Sequence, residues 1–383
     1  MEITLLDKNS LKKIDKYFND NNIRSIFIVT FKFEKKPSII TYLESLNIKI
    51  TYFYDYTPNP TYEEVCKGLE SFKKSKADAI IAIGGGSAID VSKCIKVFST
   101  MDDNINYLNQ TIENNNVILI SLPTTAGTGS EATRYAVIYY EGNKQSVTSD
   151  YLIPDLVIFD PSFLDSLPIY ARKATVLDAF SHSIESIWSI NSTDESKKYA
   201  KEALKIIVSN FKAYLDNKKE VYPLMLKAAN LAGKAINITQ TTAGHAMCYK
   251  LTSLYKIPHG HAACLVNSCL LPYMIDNVDK VIDPRGKEYL IKTFKEIGKV
   301  LRCTDMNSLK VYIQNLLDEL DLYDVTFNKE DINYLAKSVN ITRLKNNPVL
   351  LDQKDIKVIY TNLYHDIERR HKNESKWFCK SLK

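Results

Sequence analysis

The stretch ADAIIAIGGGSAIDVSKCIKVF, residues 77–98, decides the fold. Its first half is an unbroken apolar run ending in Ile81-Ala82-Ile83, as in a strand buried on both faces; its second half carries the apolar spacing of a helix. Gly84-Gly85-Gly86-Ser87 joins the two. A strand, a glycine turn and a helix N-terminus expose unpaired backbone N–H groups and the positive end of a helix dipole, and the missing Cβ atoms let a diphosphate approach. The segment therefore reads as a phosphate cradle. It is neither GxGxxG nor a Walker loop, so a glycine-rich βα turn without a ligand would look the same.

Working outward, SIFIVTF (25–31), IKITYFYDY (48–56), VILISLP (117–123) and DLVIFD (155–160) are further strand-like runs separated by amphipathic segments. That alternation predicts a parallel sheet covered by helices, an α/β architecture that Rossmann-like dinucleotide-binding domains share. YAVIYYEGNKQSVT (135–148) has two β-rich runs around Glu141-Gly142-Asn143 and predicts a hairpin inserted between the last strands. Beyond Pro168 helical spacing takes over, as at Leu204, Ile207, Phe211 and Leu215. Two prolines in PSFLDSLPIY (161–170) place the boundary, giving an α/β domain over 1–165 and an all-α domain over 166–383.

The 383 residues are ample for two domains. No run approaches the roughly 20 apolar residues that span a bilayer, and the first residues, MEITLLDKNSLKKIDKYF, lack the pattern of a secretory signal, so a cytoplasmic protein with no membrane partner is expected. Seven cysteines without a CxxC pair read as reduced thiols. The basic residues, 50 against 45 acids, are scattered among the acids, which argues against a nucleic-acid partner.

Chemistry enters with a second polar loop, Pro123 to Glu131, after another strand, since open α/β sheets bind ligands at the carboxyl ends of their strands. The histidines add more. Asp178 and His182 lie four apart and share a helix face; His245 and His259 follow, with Pro258-His259-Gly260-His261 opening a new helix. One carboxylate and three imidazoles could cage a divalent metal and leave a position for a substrate oxygen. An isolated Asp-x3-His is more often an exposed helix pair, but three of only six histidines fall here among apolar neighbours, where an unpaired polar side chain is costly.

GGGSAIDVSK (84–93), PTTAGTGSEAT (123–133), Asp160-Pro161, LDAFSHSIES (177–186) and GHAMCYKLTSLYKIPHGHAACL (244–265) together resemble the iron-containing (group III) alcohol dehydrogenase family. The resemblance runs from about residue 25 to about residue 350. It implies a dehydroquinate synthase-like architecture, an N-terminal nucleotide domain and a C-terminal helical metal-binding domain with the active site between them. It also implies that Asp178, His182, His245 and His259 ligate the metal, Fe(II) or alternatively Zn(II). The diphosphate loop falls on Gly85, Gly86 and Ser87, with Asp90 closing the motif, and Asn59, Thr124, Thr125, Thr133 and Lys144 match further cofactor positions. Family members commonly form homodimers.

The chain departs from the family where many relatives carry a proton-relay histidine ten residues before the His of PHG; Tyr249 stands there and is a candidate replacement, with His261 another. NAD-preferring relatives often place a carboxylate after the first strand, whereas here Phe31-Lys32 follow, so NADPH should be tolerated alongside NADH. Residues 186–203 and 245–262 look similar to phosphonoacetaldehyde reductases, implying a place in phosphonate metabolism and reduction of phosphonoacetaldehyde to 2-hydroxyethylphosphonate. Arg134, Lys250 and Ser253 are the candidates for meeting that anion. A generic short-chain alcohol or butanol dehydrogenase and a dehydroquinate synthase-like lyase are the alternatives.

Overall fold

Alternating burial builds the first sheet. In the computed structural model, which describes residues 2–5, 10–34 and 36–381, Phe27, Val29, Ile80 and Leu119 point to one face and Ile26, Ile28, Ile81, Ile83, Ile120 and Leu122 to the other. Both sets are buried under helices, the condition under which a parallel sheet is stable. The strands are β1 (Glu2–Leu5), β2 (Ser25–Thr30), β3 (Lys49–Phe53), β4 (Ala79–Gly84), β5 (Ile118–Pro123), β6 (Tyr135–Tyr140), β7 (Asn143–Thr148) and β8 (Leu156–Phe159). Six form one parallel sheet in the order β1-β8-β5-β4-β2-β3, and β6 with β7 forms the separate antiparallel hairpin expected from the sequence. β1 pairs with β8 at the edge and lies outside the five strand-like runs read from the sequence; four residues are too few to show a period.

From residue 168 the chain is helical. Helix Ile169–Trp188 is buried along most of its length, including every residue from Val176 to Trp188, and packs against helices Asp194–Leu215 and His259–Asp276. Over residues 176–188 the helix has no solvent face, so polar side chains there are costly without partners.

By internal contacts the chain forms one unit of Met1–Leu167 with Asn217–Gly233 and another of Pro168–Asp216 with Lys234–Lys383. The segment 217–233 joins the first unit because the Gly233 backbone lies directly against that of Gly129, and Asn230 Nδ2 donates to Glu131 Oε1 at 3.1 Å. Among the described residues no helix is long and apolar enough to cross a membrane.

Candidate functional site

In the first unit, β4 and β5 end level, with Gly84 opposite Pro123 and the Thr124 N–H donating to the Gly84 carbonyl at 3.0 Å. The two polar loops consequently start side by side. A Cβ on Gly86 would stand only 3.2 Å from Thr128 Cγ2, so this glycine also lets the two loops pack closely. Gly85 caps helix Gly86–Phe98 without a side-chain hydrogen bond, and the first-turn N–H groups have no side-chain acceptor there. The Ser87 hydroxyl donates to the Pro58 carbonyl, which holds Asn59 and its neighbours against the turn. Asn59, Gly85, Gly86, Ser87, Thr124 and Thr125 are thus gathered in one place.

One turn further along that helix, Asp90 accepts from Ser130 Oγ at 2.6 Å and from the Val137 N–H at 3.0 Å. Lys93, fully buried, donates to the carbonyls of Ser130 (2.6 Å), Thr133 (2.8 Å) and Tyr135 (2.8 Å). Burial pulls the Lys93 pKa down, to about 8, against the opposing pull of Asp90 and Glu131. The Thr133 hydroxyl is engaged in the same network, accepting from Lys93 at 3.2 Å and donating to the Ser130 carbonyl at 3.1 Å. Thr133 and Asp90 therefore anchor the second loop through protein contacts. Lys144 stands opposite Tyr139 in the hairpin register, near enough for its charge to act on Asp90. Lys93 escaped the sequence reading, although its position three residues after Asp90 on one helix face signalled the pairing.

In the second unit, helix Ile169–Trp188 presents Asp178, His182 and Glu185 along one face. His245 lies in the first turn of helix Ala243–Tyr255, and His259 opens helix His259–Asp276. The glycines beside these histidines set the approach of the helices: a Cβ on Gly244 would collide with Asn267 and the Glu185 carboxylate, and one on Gly260 with the Ala174 carbonyl and Asp178. One ligand-type atom from each of Asp178, His245 and His259 lies within 4.8 Å of the others. His182 is adjacent, its Nε2 3.8 Å from Asp178 Oδ1 and its ring stacked on His245 at 4.5 Å and 15°. Of the four expected ligands, Asp178, His245 and His259 form the tight group, and His182 stands beside Asp178 at its edge.

Glu185, absent from the sequence reading, orients His245. It accepts from His245 Nδ1 at 2.6 Å, Thr242 N at 2.7 Å, Thr242 Oγ1 at 2.9 Å and Asn267 Nδ2 at 2.9 Å, which aims His245 Nε2 at Asp178, 3.4 Å away. Its signal was the spacing Asp178, His182, Glu185, one helix face. Burial alone would raise the Glu185 carboxyl, but His245, Asn267 and Thr242 bring it down to about 2. Burial likewise opposes the charge on His245, and Glu185 and Asp178 overcome it, raising its pKa to about 10. Against burial, His182, His245 and His259 hold Asp178 well below the usual carboxylate range. The Nε2 to Oδ1 separations of 3.4 and 3.8 Å exceed the roughly 2.7–2.9 Å of a good charge-assisted hydrogen bond. Donors that converge while standing off one another, on a negative buried carboxylate, fit a divalent cation bound by one oxygen and imidazole nitrogens.

Beside this cluster, the Tyr249 ring stacks on His259 at 5.7 Å and 3°, and its hydroxyl accepts from Arg343 Nη1 at 3.2 Å. His261 is committed elsewhere, to the Leu322 carbonyl at 2.7 Å and the Tyr170 hydroxyl at 3.1 Å, and burial lowers its pKa to about 4. The expected anion readers are also otherwise engaged. Arg134 pairs with Asp150 at 3.2 Å in the first unit, Lys250 lies over the Tyr334 ring at 5.6 Å, and exposed Ser253 bonds back to the Lys250 carbonyl at 3.4 Å.

Comparison with known proteins bears on both units. The family model for iron-containing alcohol dehydrogenase matches residues 2–161, and that for the C-terminal part of the Fe-containing alcohol dehydrogenase family matches residues 173–364. The chain is 27% identical over 356 residues to an NADPH-dependent butanol dehydrogenase of Clostridium saccharobutylicum, covering 86% of this chain and 88% of that protein. It is 34% identical over 230 residues to long-chain-alcohol dehydrogenase 1 of Geobacillus thermodenitrificans, where the match spans 58% of this chain and only 57% of the relative. A crystal structure of sulfoacetaldehyde reductase from Bifidobacterium kashiwanohense in complex with NAD+ superposes with a TM-score of 0.83 at 25% identity, covering 95% of this chain and 96% of that one.

Proposed function

The chain belongs to the iron-containing alcohol dehydrogenase family, and from that premise we propose that it is a metal-dependent, NAD(P)H-linked oxidoreductase interconverting a small aldehyde and its primary alcohol. The observation that carries this reading is the convergence of buried Asp178 and His245 with half-buried His259, with Glu185 behind His245. The substrate assigned is phosphonoacetaldehyde, reduced to 2-hydroxyethylphosphonate. It is supported by the likeness of residues 186–203 and 245–262 to phosphonoacetaldehyde reductases and by the similarity to a reductase of another anionic two-carbon aldehyde. The cofactor is NADH or NADPH, the metal Fe(II) or Zn(II), and the setting a cytoplasmic homodimer.

When bound, the divalent ion polarises the carbonyl oxygen and the reduced nicotinamide carries the hydride. Asp178, His245 and His259 would hold the ion, with adjacent His182 as the fourth ligand. Glu185 keeps the Nδ1–H of His245 and so leaves its Nε2 for the metal. Burial of Asp178, His182, Glu185 and His245 keeps bulk water from weakening their interactions. Gly85, Gly86, Ser87, Thr124 and Thr125 would present backbone and hydroxyl donors to the diphosphate, and Phe31, exposed and uncharged after β2, puts no carboxylate there to repel a 2′-phosphate. Tyr249, stacked on His259 with its oxygen accepting from Arg343 Nη1, stands beside the cluster.

The test is an anaerobic NAD(P)H-oxidation panel with Fe(II)- or Zn(II)-loaded protein against phosphonoacetaldehyde, butanal and lactaldehyde. Phosphonoacetaldehyde should give the highest kcat/KM. A preference for butanal discards the substrate and keeps the reductase; no oxidation with any aldehyde discards both.

A further inference from the structure

Arg343 sits on a short 3-10 turn, Ile341–Leu344, that carries no sequence motif. Its guanidinium is half-buried, bonds the Tyr249 hydroxyl at 3.2 Å and lies 5.3 Å from the centre of the same ring whose face covers His259. Among the described residues it pairs with no carboxylate, and those two contacts with Tyr249 are its side-chain partners. A half-buried guanidinium without a counter-ion is a poor structural element: the charge is partly desolvated and most of its five donors are unused. On the same face of helix Ala243–Tyr255, three residues beyond Tyr249, Thr252 has a buried hydroxyl with no hydrogen-bond partner. A cation and an orphan hydroxyl thus flank the ring that lies against a candidate metal ligand.

We propose that Arg343, with the hydroxyls of Tyr249 and Thr252, binds the anionic tail of the substrate, so that the site selects small aldehydes bearing a tetrahedral oxyanion, a phosphonate or a sulfonate, near the carbonyl. The proposal rests on the reading of the adjacent cluster as the carbonyl-reducing centre. The fork of a guanidinium matches two oxygens of such a group, and a neutral aldehyde offers it nothing. Arg343 then supplies the function expected of Lys250 and Arg134, whose charges are committed to Tyr334 and Asp150.

The experiment compares wild type with Arg343→Met and Arg343→Lys, metal-loaded, in two measurements. The first is the ratio of kcat/KM for phosphonoacetaldehyde, and separately sulfoacetaldehyde, to that for butanal. The second is calorimetric titration with ethylphosphonate and ethanesulfonate, which requires no turnover. In Arg343→Met the ratio should fall at least about tenfold, chiefly through KM, and the affinity for the matching anion should fall in step, as for loss of a charge-assisted contact; Arg343→Lys should lie between. A loss confined to the phosphonate pair or to the sulfonate pair identifies which tail is read, and either supports the proposal. An unchanged ratio with unchanged anion affinity overturns it, as does a parallel fall for charged and neutral aldehydes with anion binding intact. The two readings fail separately. Wild type that binds ethylphosphonate through Arg343 but reduces no aldehyde loses the reductase and keeps the anion site, whereas activity on butanal with no effect of Arg343→Met does the reverse.

Discussion

Two buried charged clusters, one in each unit, differ in how their polar atoms are satisfied. Lys93 is enclosed by five protein oxygens, three carbonyls at 2.6–2.8 Å and two hydroxyls at 3.2–3.3 Å, and its donors are used up inside the protein. Asp178 faces imidazole nitrogens at 3.4 and 3.8 Å, too far for strong hydrogen bonds, while the supporting groups behind His245 are tightly bonded at 2.6–2.9 Å. Burial of charge is common to both. A saturated cluster holds the fold, and a cluster whose support is saturated but whose centre is slack is built to receive a ligand.

The sharpest way to break this contrast is His259→Ala. Loss of one converging ligand should remove several kcal/mol of charge stabilisation, about a thousandfold or more in turnover, together with the bound metal, while nucleotide binding persists. Metal analysis and NADPH fluorescence titration check it; loss of nucleotide affinity with metal retained would merge the two clusters' roles. Next is Lys93→Met, which takes the ammonium donor away from three carbonyls and leaves Asp90 without its buried counter-charge; it should cost about 3 kcal/mol of stability, seen as a lower thermal midpoint, with a raised KM for NAD(P)H and metal content retained. The same variant gives a pH signature. The native ammonium releases its proton near pH 8 and the unfolded one near 10.5, so the unfolded chain binds more protons between these values and the site's contribution to stability rises with pH across that window. Urea midpoints at pH 7.5 and 9.5 should show that rise in wild type and lack it in Lys93→Met. The smallest expected effect is from Glu185→Gln, which keeps the shape but weakens the hold on His245 Nδ1 and should lower metal affinity about 10- to 100-fold, measured by competition with a chromophoric chelator.

Much of this arrangement is legible in the sequence where the signal is local. The glycine turn after Ile83 and the inserted hairpin carry their geometry in neighbouring residues. Asp178, His245 and His259 come within reach of inspection because imidazoles are scarce and the motifs around them are dense. The remainder depends on contacts between distant segments. Glu185 looks like any helix glutamate until Thr242 and Asn267 are placed around it, and Arg343 lies 94 residues from the tyrosine it bonds. Lys250 and Ser253 show the converse: their proximity in sequence to Tyr249 suggests shared work, but Lys250 lies over the Tyr334 ring and exposed Ser253 bonds back to the Lys250 carbonyl. His182 is intermediate, correctly adjacent to Asp178 yet turned parallel to His245.

The allegiance of residues 217–233 to the first unit has a consequence for how the molecule is made. The polypeptide passes between the units at 167, 216 and 233, so no single cut separates two self-sufficient halves. During synthesis the nucleotide-binding half stays unfinished, with Glu131 lacking Asn230 and Gly129 lacking its backbone neighbour, until more than sixty further residues have left the ribosome. A gene fragment ending at 167 would therefore leave the loop after β5 without its Gly233 and Asn230 neighbours.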